Sequence, residues 1–497
     1  MTSSNTARKE STLIPLRAAV AILGFLGIVF QYVLKVTLSV AIGGMVKQTA
    51  QEDATDNTCG PAGANTTSGV SQPGDFEWDE DMQGYILSSY YYGYAPVNII
   101  AGYTASRYSA RWVYCTGLLM AGLFSVLGPL AAEGGPVVFM LTRIIVGIFS
   151  GIITPSMHVI FGRWFPENER QRLSGFIFSG NYLGTVLSMA LSGTMVKSLG
   201  WPSVFYIFGG ITISLTIPWL YFVYSEPESH PRISQKELDY ILENTGHSKK
   251  TNDEKKKLPD DEESKIGNPW PMVLSNPPMW AHCFVMFGIG WVNYTLLSEL
   301  PTYMEKILHY DLDQAGLVSA LPYLFGWISC SIYGYLTRKC TQKGVRIITT
   351  MRMWDAVACI GTPLFLLGVT LANCNVTAII ALFVMTMVAR CAIYGGSYMN
   401  HLYLFPESYG SAAGLALTST NIPGIITPIV TSAFVSGRQT IQQWKYVFYT
   451  SMAVCAIPYV TFLAFGTADE QESKWLERKE QKRKPAHITD VPVTNSV

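Results

Sequence analysis

Residues 143–184 read RIIVGIFSGIITPSMHVIFGRWFPENERQRLSGFIFSGNYLG. A long apolar run carries Arg143 near its start and His158 near its end. A polar loop with Phe165-Pro166-Glu167 and the arginines 163, 170 and 172 follows. A second apolar run then opens, with Asn181 and Gly184 inside it. About 20 apolar residues cross the hydrocarbon core of a bilayer, so each run reads as a membrane span. A charge inside such a span costs about 2.5–3.5 kcal/mol on insertion scales. Arg143 therefore needs compensation, and the search for its partner leads toward function.

The composition agrees with a polytopic membrane protein. The chain has 497 residues, 49% of them hydrophobic and 14% charged, with a positive mean hydropathy; that is too apolar for a soluble protein of this size. Net charge is zero, and the basic residues lie in short loops and tails without a basic face, which argues against nucleic acid as a partner. The nine cysteines show no metal-ligand spacing. No nucleophile–base pair, P-loop or haem pattern is evident, so an enzyme or an ATP-driven pump is not expected, and no cofactor either.

The 20-residue ruler gives twelve helices, near 18–43, 83–106, 112–132, 136–161, 173–196, 203–224, 279–301, 315–336, 348–371, 376–399, 412–435 and 445–466. The first apolar run is too long for a cleavable signal. The expected division is a tail at 1–17, a six-helix half at 18–224, a linker at 225–278, a second half at 279–466 and a tail at 467–497. The linker is the most charged stretch; its start, SQKELDYILENT, reads as a short amphipathic helix, and the rest as a solvated connection. Lys and Arg concentrate in the short loops after helices 2, 4 and 8, which places both tails and the linker in the cytosol. Two glycosylation sequons, at Asn65 and Asn375, then fall on the opposite side; a third, at Asn293, lies inside helix 7 and is not expected to be modified. Cys59 and Cys374 also fall on that opposite side. The sequence leaves their pairing open, and buried cysteines are commonly small hydrophobes.

The two halves repeat each other. FPE at 165–167 is followed after thirteen residues by Asn181-x-x-Gly184, and FPE at 405–407 after thirteen by Asn421-x-x-Gly424. His158 precedes the first and His401 the second. Gly84 leads after seventeen residues to Gly102-Tyr103, and Gly316 after seventeen to Gly334-Tyr335, with Arg107 or Arg338 close behind. Matching helices run in the same direction, so the repeat is parallel. This is the major facilitator arrangement: an all-α membrane protein of two six-helix pseudo-repeats that binds substrate between the halves and exposes it alternately.

The loop GYTASRYSAR (102–111) resembles the major facilitator signature after helix 2, and further stretches carry a more specific resemblance: FEWDEDMQGYILSSYYYGY (76–94), RWFPENERQRLSGFIFSGNYLG (163–184), ELPTYMEKIL (299–308), AGLVSALPYL (315–324), MNHLYLFP (399–406) and WKYVFY (444–449). Together they resemble the anion–cation symporter family, which includes sodium–phosphate cotransporters, sialin and vesicular glutamate transporters. The resemblance runs over about 20–465. It implies a small anionic substrate, bound by basic residues on helices 1 and 4, and ion-coupled transport. Lys35, three residues after Tyr32, stands where many members carry arginine on helix 1, and Arg143 is kept on helix 4. Tyr294 matches an aromatic position of family cavities. Four places depart from the pattern: Ser150 stands where sialin-like and glutamate-type members carry an acid, Ile289 where glutamate-type members carry arginine, Leu87 where they carry histidine, and Tyr403 where an acid is common. These departures argue against glutamate transport and weaken a sialin-type proton mechanism. They leave inorganic phosphate or other small organic anions, with Na⁺ or H⁺ as the coupling ion.

The candidate substrate-binding residues are Lys35, Arg143, Tyr32, Tyr294, Tyr91, Asn181 and Asn421. Tyr91 belongs to the run 90–92, of which at least one ring faces the centre of the bundle. The candidate coupling and gating residues are His158, His401, Arg107 and Arg170, the loop arginines being expected on helix C-termini and acidic loop groups. Arg390 and Asp355 are further intramembrane charges, able to pair with each other or with Arg143. Glu299 reads as a gate or interfacial residue. The expected partners are the lipid bilayer and the anion, with the monomer as the working unit, in a plasma, vesicle or endolysosomal membrane.

Overall fold

Proline and short polar side chains mark where the helices begin. The computed structural model describes residues 15–47, 59, 74–244, 269–310, 312–372, 374–406, 408–435 and 440–475, with backbone alone at 80–81, 167–168, 170–172 and 312–313. Twelve helical spans cross the molecule. The first half holds α1 (Leu16–Met45), α2 (Glu80–Arg107), α3 (Ala110–Val126, then Gly128–Glu133), α4 (Pro136–Gly151, then Ile153–Trp164), α5 (Glu167–Phe178, then Gly180–Leu199) and α6 (Pro202–Ser214, then Thr216–Phe222). The second holds α7 (Pro277–Lys306), α8 (Leu312–Gln342), α9 (Ile347–Ala356, Val357–Gly361, Thr362–Leu371), α10 (Val376–Arg390 and the shorter turns described below), α11 (Tyr409–Asn421, then Pro423–Val435) and α12 (Ile441–Phe465). Nine spans among the described residues are long and apolar enough to cross a membrane on their own. The shorter or more polar α2, α3 and α5 complete the twelve.

Pro136, Pro202 and Pro277 open α4, α6 and α7, where a missing N–H costs nothing. Asp79 accepts a hydrogen bond from Met82 N (2.8 Å) at the start of α2, and Asn375 one from Ala378 N (3.1 Å) at the start of α10. A reciprocal Thr440–Gln443 capping box starts α12.

Helix α1 begins and α12 ends on the same face of the bundle, here the tail face. The opposite face carries Cys59, bonded to Cys374 with Cα atoms 5.1 Å apart. The pairing that the sequence left open is thus made, between the long first loop and the α9–α10 turn. The seven other cysteines are free, and six of them are buried. At the end of α1, Lys47 Nζ lies 2.8 Å from Glu77. The hydrogen bond from Lys47, then its charge, hold the Glu77 carboxyl below its ordinary range.

The linker start forms the expected helix, Gln235–Asn244, with Leu238 and Ile241 buried. Its Glu237 accepts hydrogen bonds from Leu16 N (3.1 Å) and Arg17 N (3.0 Å), two of the free donors at the head of α1.

Helices α7 and α8 run on to Lys306 and Gln342, past their expected ends, and two further differences bear on the seam. Helix α5 starts at Glu167, inside the polar loop. Helix α10 is not continuous to residue 399: it narrows to a tighter turn at Cys391–Tyr394, breaks at Gly395-Gly396, and resumes through Ser397–Met399 into Asn400–Leu404. A Cβ on Gly396 would collide with the Asp355 carboxylate. That carboxylate accepts a hydrogen bond from Ser397 N (3.0 Å), and Thr337 Oγ1 donates to Gly395 O (2.8 Å). Irregular backbone at membrane depth persists only where its polar groups are satisfied in this way.

Candidate functional site

Helix α1 places a polar row toward the bundle axis. Gln31 and Lys35 are one turn apart, and both are buried. Gln31 Nε2 donates to Ser150 O (2.7 Å), and its Oε1 accepts from Thr154 Oγ1 (3.0 Å). Lys35 Nζ donates to the Tyr294 hydroxyl at 2.7 Å, which in turn donates to Asn421 Oδ1 at 2.5 Å. This chain runs from one half of the molecule into the other. Five tyrosine rings surround the ammonium group: Tyr94 at 4.1 Å, Tyr32 and Tyr294 at 4.7 Å, Tyr91 at 5.3 Å and Tyr90 at 6.0 Å. Aromatic faces stabilise a desolvated cation by about 0.5–2 kcal/mol. Of the 90–92 run, Tyr90 and Tyr91 point inward and Tyr92 is exposed.

Arg143 stands one ring behind. Its guanidinium lies 5.3 Å from the Tyr90 ring centre, and Nη2 donates to Leu34 O at 3.4 Å, a long bond. Its partners all belong to the first half. Arg390 behaves differently. Its Nε donates to Ile289 O (3.2 Å) on α7, and its Nη1 donates to the Tyr182 hydroxyl on α5, across the seam. Arg390 lines the central cavity together with Tyr32, Asn181, Tyr294, Tyr394 and Asn421. Asn181 Nδ2 donates to the Tyr394 hydroxyl at 2.8 Å, a second cross-seam bond.

The possible pairing of Asp355 with Arg390 or with Arg143 is not made. Asp355 is taken by the break in α10. Among the described residues no carboxylate lies within ion-pair distance of Lys35, Arg143 or Arg390. Glu299 is half-buried in α7 and makes no ion pair with these three.

Toward the tail face, His158 Nδ1 and His401 Nε2 meet at 3.1 Å across the seam. These histidines precede the two FPE motifs, by seven residues in the first half and four in the second, and they touch each other. The His282 ring centre is 5.8 Å from His401, and all three imidazoles are buried. Of the loop arginines, Arg163 bonds Ser106 O (3.1 Å), close to the α2 terminus, and approaches Glu226 at 3.6 Å. Arg107 is exposed, and the Arg170 side chain lies outside the described residues, as does Asn65. Asn375 is exposed, and its cap uses Oδ1, so Nδ2 stays available.

Sequence reasoning missed Gln31, Tyr94, Tyr182, Tyr394 and His282, and noted Arg390 only as a charge. Two signals were available, one for Gln31 and one for the α10 residues Arg390 and Tyr394. Gln31 lies four residues before Lys35, on the same helix face. Gly395-Gly396 interrupts an apolar run, and interrupted helices mark transporter binding sites.

Twelve spans in two parallel halves, with a polar cavity at their seam, define a secondary transporter of the major facilitator class. Residues 20–428 match the Major Facilitator Superfamily, and the chain belongs to it. Solved structures of 14% identity share the fold: the proton:xylose symporter XylE (TM-score 0.65, covering 92% of this chain and 99% of that one) and a bacterial homolog of the lysosomal transporter Spinster (TM-score 0.59, 91% and 98%). Within the superfamily the chain groups with sialin and its relatives. It is 30% identical to sialin of Homo sapiens, over 92% of this chain and 90% of that protein. It is 32% identical to a Drosophila ananassae protein named "Putative inorganic phosphate cotransporter", over 93% and 94%. Identity to vesicular glutamate transporter 1 of Bos taurus is 29%, over 94% and 79%.

Proposed function

We propose that this protein is a secondary active transporter of inorganic phosphate or small organic anions, driven by a Na⁺ or H⁺ gradient through alternating access. One observation carries the reading: three buried cations, Lys35, Arg143 and Arg390, have no carboxylate partner among the described residues. Buried charge without a counter-ion is costly, and an anion in the cavity relieves that cost. The names of the relatives, which include phosphate and glutamate transporters, point the same way. Lys35, Tyr294 and Asn421 would hold the anion, with Tyr32 and Asn181 lining the cavity, Tyr91 packed against Lys35 and Arg143 adding field from behind Tyr90. The His158–His401 contact closes the tail-face side and must part when that side opens. The disulfide supports an oxidising compartment at the opposite face, and so a cytosolic tail face in a plasma, vesicle or endolysosomal membrane. Asn375 on the disulfide face is a glycan acceptor in this orientation.

Purified protein in liposomes, given phosphate or small carboxylates with a Na⁺ gradient and then a pH gradient, tests the proposal. Uptake should follow one gradient and fall more than ~10-fold in Lys35→Met, about 1.4 kcal/mol of lost anion contact. Binding without gradient-driven flux would instead make the protein an anion sensor, and unchanged uptake in Lys35→Met would remove the proposed site.

A further inference from the structure

The unpaired cations are not gathered at one point. One pole of the cavity is Arg390 with Tyr394 and Asn181; the other is Tyr294 with Asn421, and Lys35 directly behind. Arg390 leans on the backbone of Ile289, whereas Lys35 bonds the side chain of Tyr294. These α7 positions are five residues apart, about 7.5 Å of helical rise. Each pole keeps a donor that the described protein does not use. Arg390 commits Nε and Nη1, leaving Nη2. Asn421 accepts through Oδ1, leaving the Nδ2 amide. The charged groups are built in: Arg390 is 4% exposed and Lys35 5%. No aspartate or glutamate lines the cavity.

We infer, resting on the transport reading above, that the substrate is a small dicarboxylate without an amino group, with Arg390 as the specificity-determining contact at one end. The two separated cations match two separated carboxylates. A guanidinium with a free edge takes a carboxylate through directional N–H bonds, and the Lys35–Tyr294–Asn421 chain takes the other. A monocarboxylate leaves one pole unpaired, and a single phosphate meets one pole at a time. An ammonium group on the substrate finds two cations and no carboxylate, so the site selects against amino acids by repulsion as well as by fit.

Competition for uptake in liposomes tests this, with succinate, glutarate, butyrate, aspartate and inorganic phosphate as the probes. Succinate or glutarate should compete at least ~10-fold better than butyrate, aspartate or phosphate, the worth of one charge-assisted contact. In Arg390→Gln the ratio of dicarboxylate to monocarboxylate uptake should fall toward one, and Arg390→Lys should restore part of it. A wild-type protein that takes butyrate, aspartate or phosphate as well as succinate overturns the inference, even if the variants fail to fold. So does an Arg390→Gln protein, monodisperse in detergent, with the wild-type ratio. If the wild type carries no anion at all, the transport reading itself fails; if it carries anions without this preference, only the dicarboxylate inference does.

Discussion

The α4–α5 unit and the α10–α11 unit descend from one pattern, yet their marked residues face opposite ways. Arg143 on α4 stays within its own half, against Tyr90 and the Leu34 carbonyl. Arg390 on α10 crosses to Tyr182 in the other half. Gly184 packs against the Val29 carbonyl of its own half, while its repeat mate Gly424 packs against the Tyr91 ring of the other half. Asn181 bonds across the seam and Asn421 within its half. The histidines sit at different offsets from FPE in the two units, yet they bond each other across the seam. A duplicated scaffold thus supplies equivalent positions, and local helix geometry decides whether each position braces a half or joins the two. The break in α10 is the largest such local difference, since α4 continues past the corresponding depth.

The sharpest way to break this comparison is at the glycine pair. Gly184→Val drives a side chain into backbone of the same half and should cost ~3 kcal/mol of stability, read as a clear drop in the detergent melting temperature. Gly424→Ala meets a movable ring at the seam. It should melt near the wild type while slowing uptake by about 5–10-fold, a seam penalty of ~1 kcal/mol. Equal melting losses in both would erase the distinction between bracing and joining positions.

Next come the two arginines. Arg143→Met should reduce uptake less than Lys35→Met does, because its charge acts through Tyr90 rather than on the anion. Removing a buried charge that has no counter-ion removes its desolvation cost, so the melting temperature should hold or rise. A larger uptake loss in Arg143→Met than in Lys35→Met would move the primary contact to α4. For the histidines, a double-mutant cycle of His158→Phe and His401→Phe on the uptake rate should show ~1 kcal/mol of coupling. Additive effects would mean that the contact does not act as a lock.

The smallest effect belongs to the disulfide face. Glu77 has a lowered pKa because Lys47 bonds it. Its contribution is therefore present above the ordinary glutamate pKa and is lost as pH falls through the lowered value. The carboxylate is exposed, so Glu77→Gln should flatten only a slight acid-side decline in melting temperature. A larger change would show that this clasp holds the first loop in place.

Much of the site was legible because membrane helices make polar residues conspicuous. Lys35, Arg143, Asn181, Tyr294 and Asn421 stand out against apolar neighbours, and four of these five belong to the hydrogen-bonded network at the seam. Arg390 was visible as a charge but not as a cavity residue. Its direction depends on the rotation of α10 and on Tyr182, 208 residues away in the chain. Its supposed partner Asp355 was committed to a helix break that apolar run-length could not show. The Cys59–Cys374 bond was undecidable for a similar reason, since 315 residues separate its ends.

By itself the sequence determined the spans, the duplication and the kinship, because hydrocarbon thickness and backbone hydrogen bonding leave a chain this apolar few alternatives to packed helices. Only the tertiary structure decided which charges meet the cavity. That choice rests on helix rotation, on tyrosine rings contributed from both halves and on a break at Gly395-Gly396, and each of these depends on contacts between residues remote in sequence.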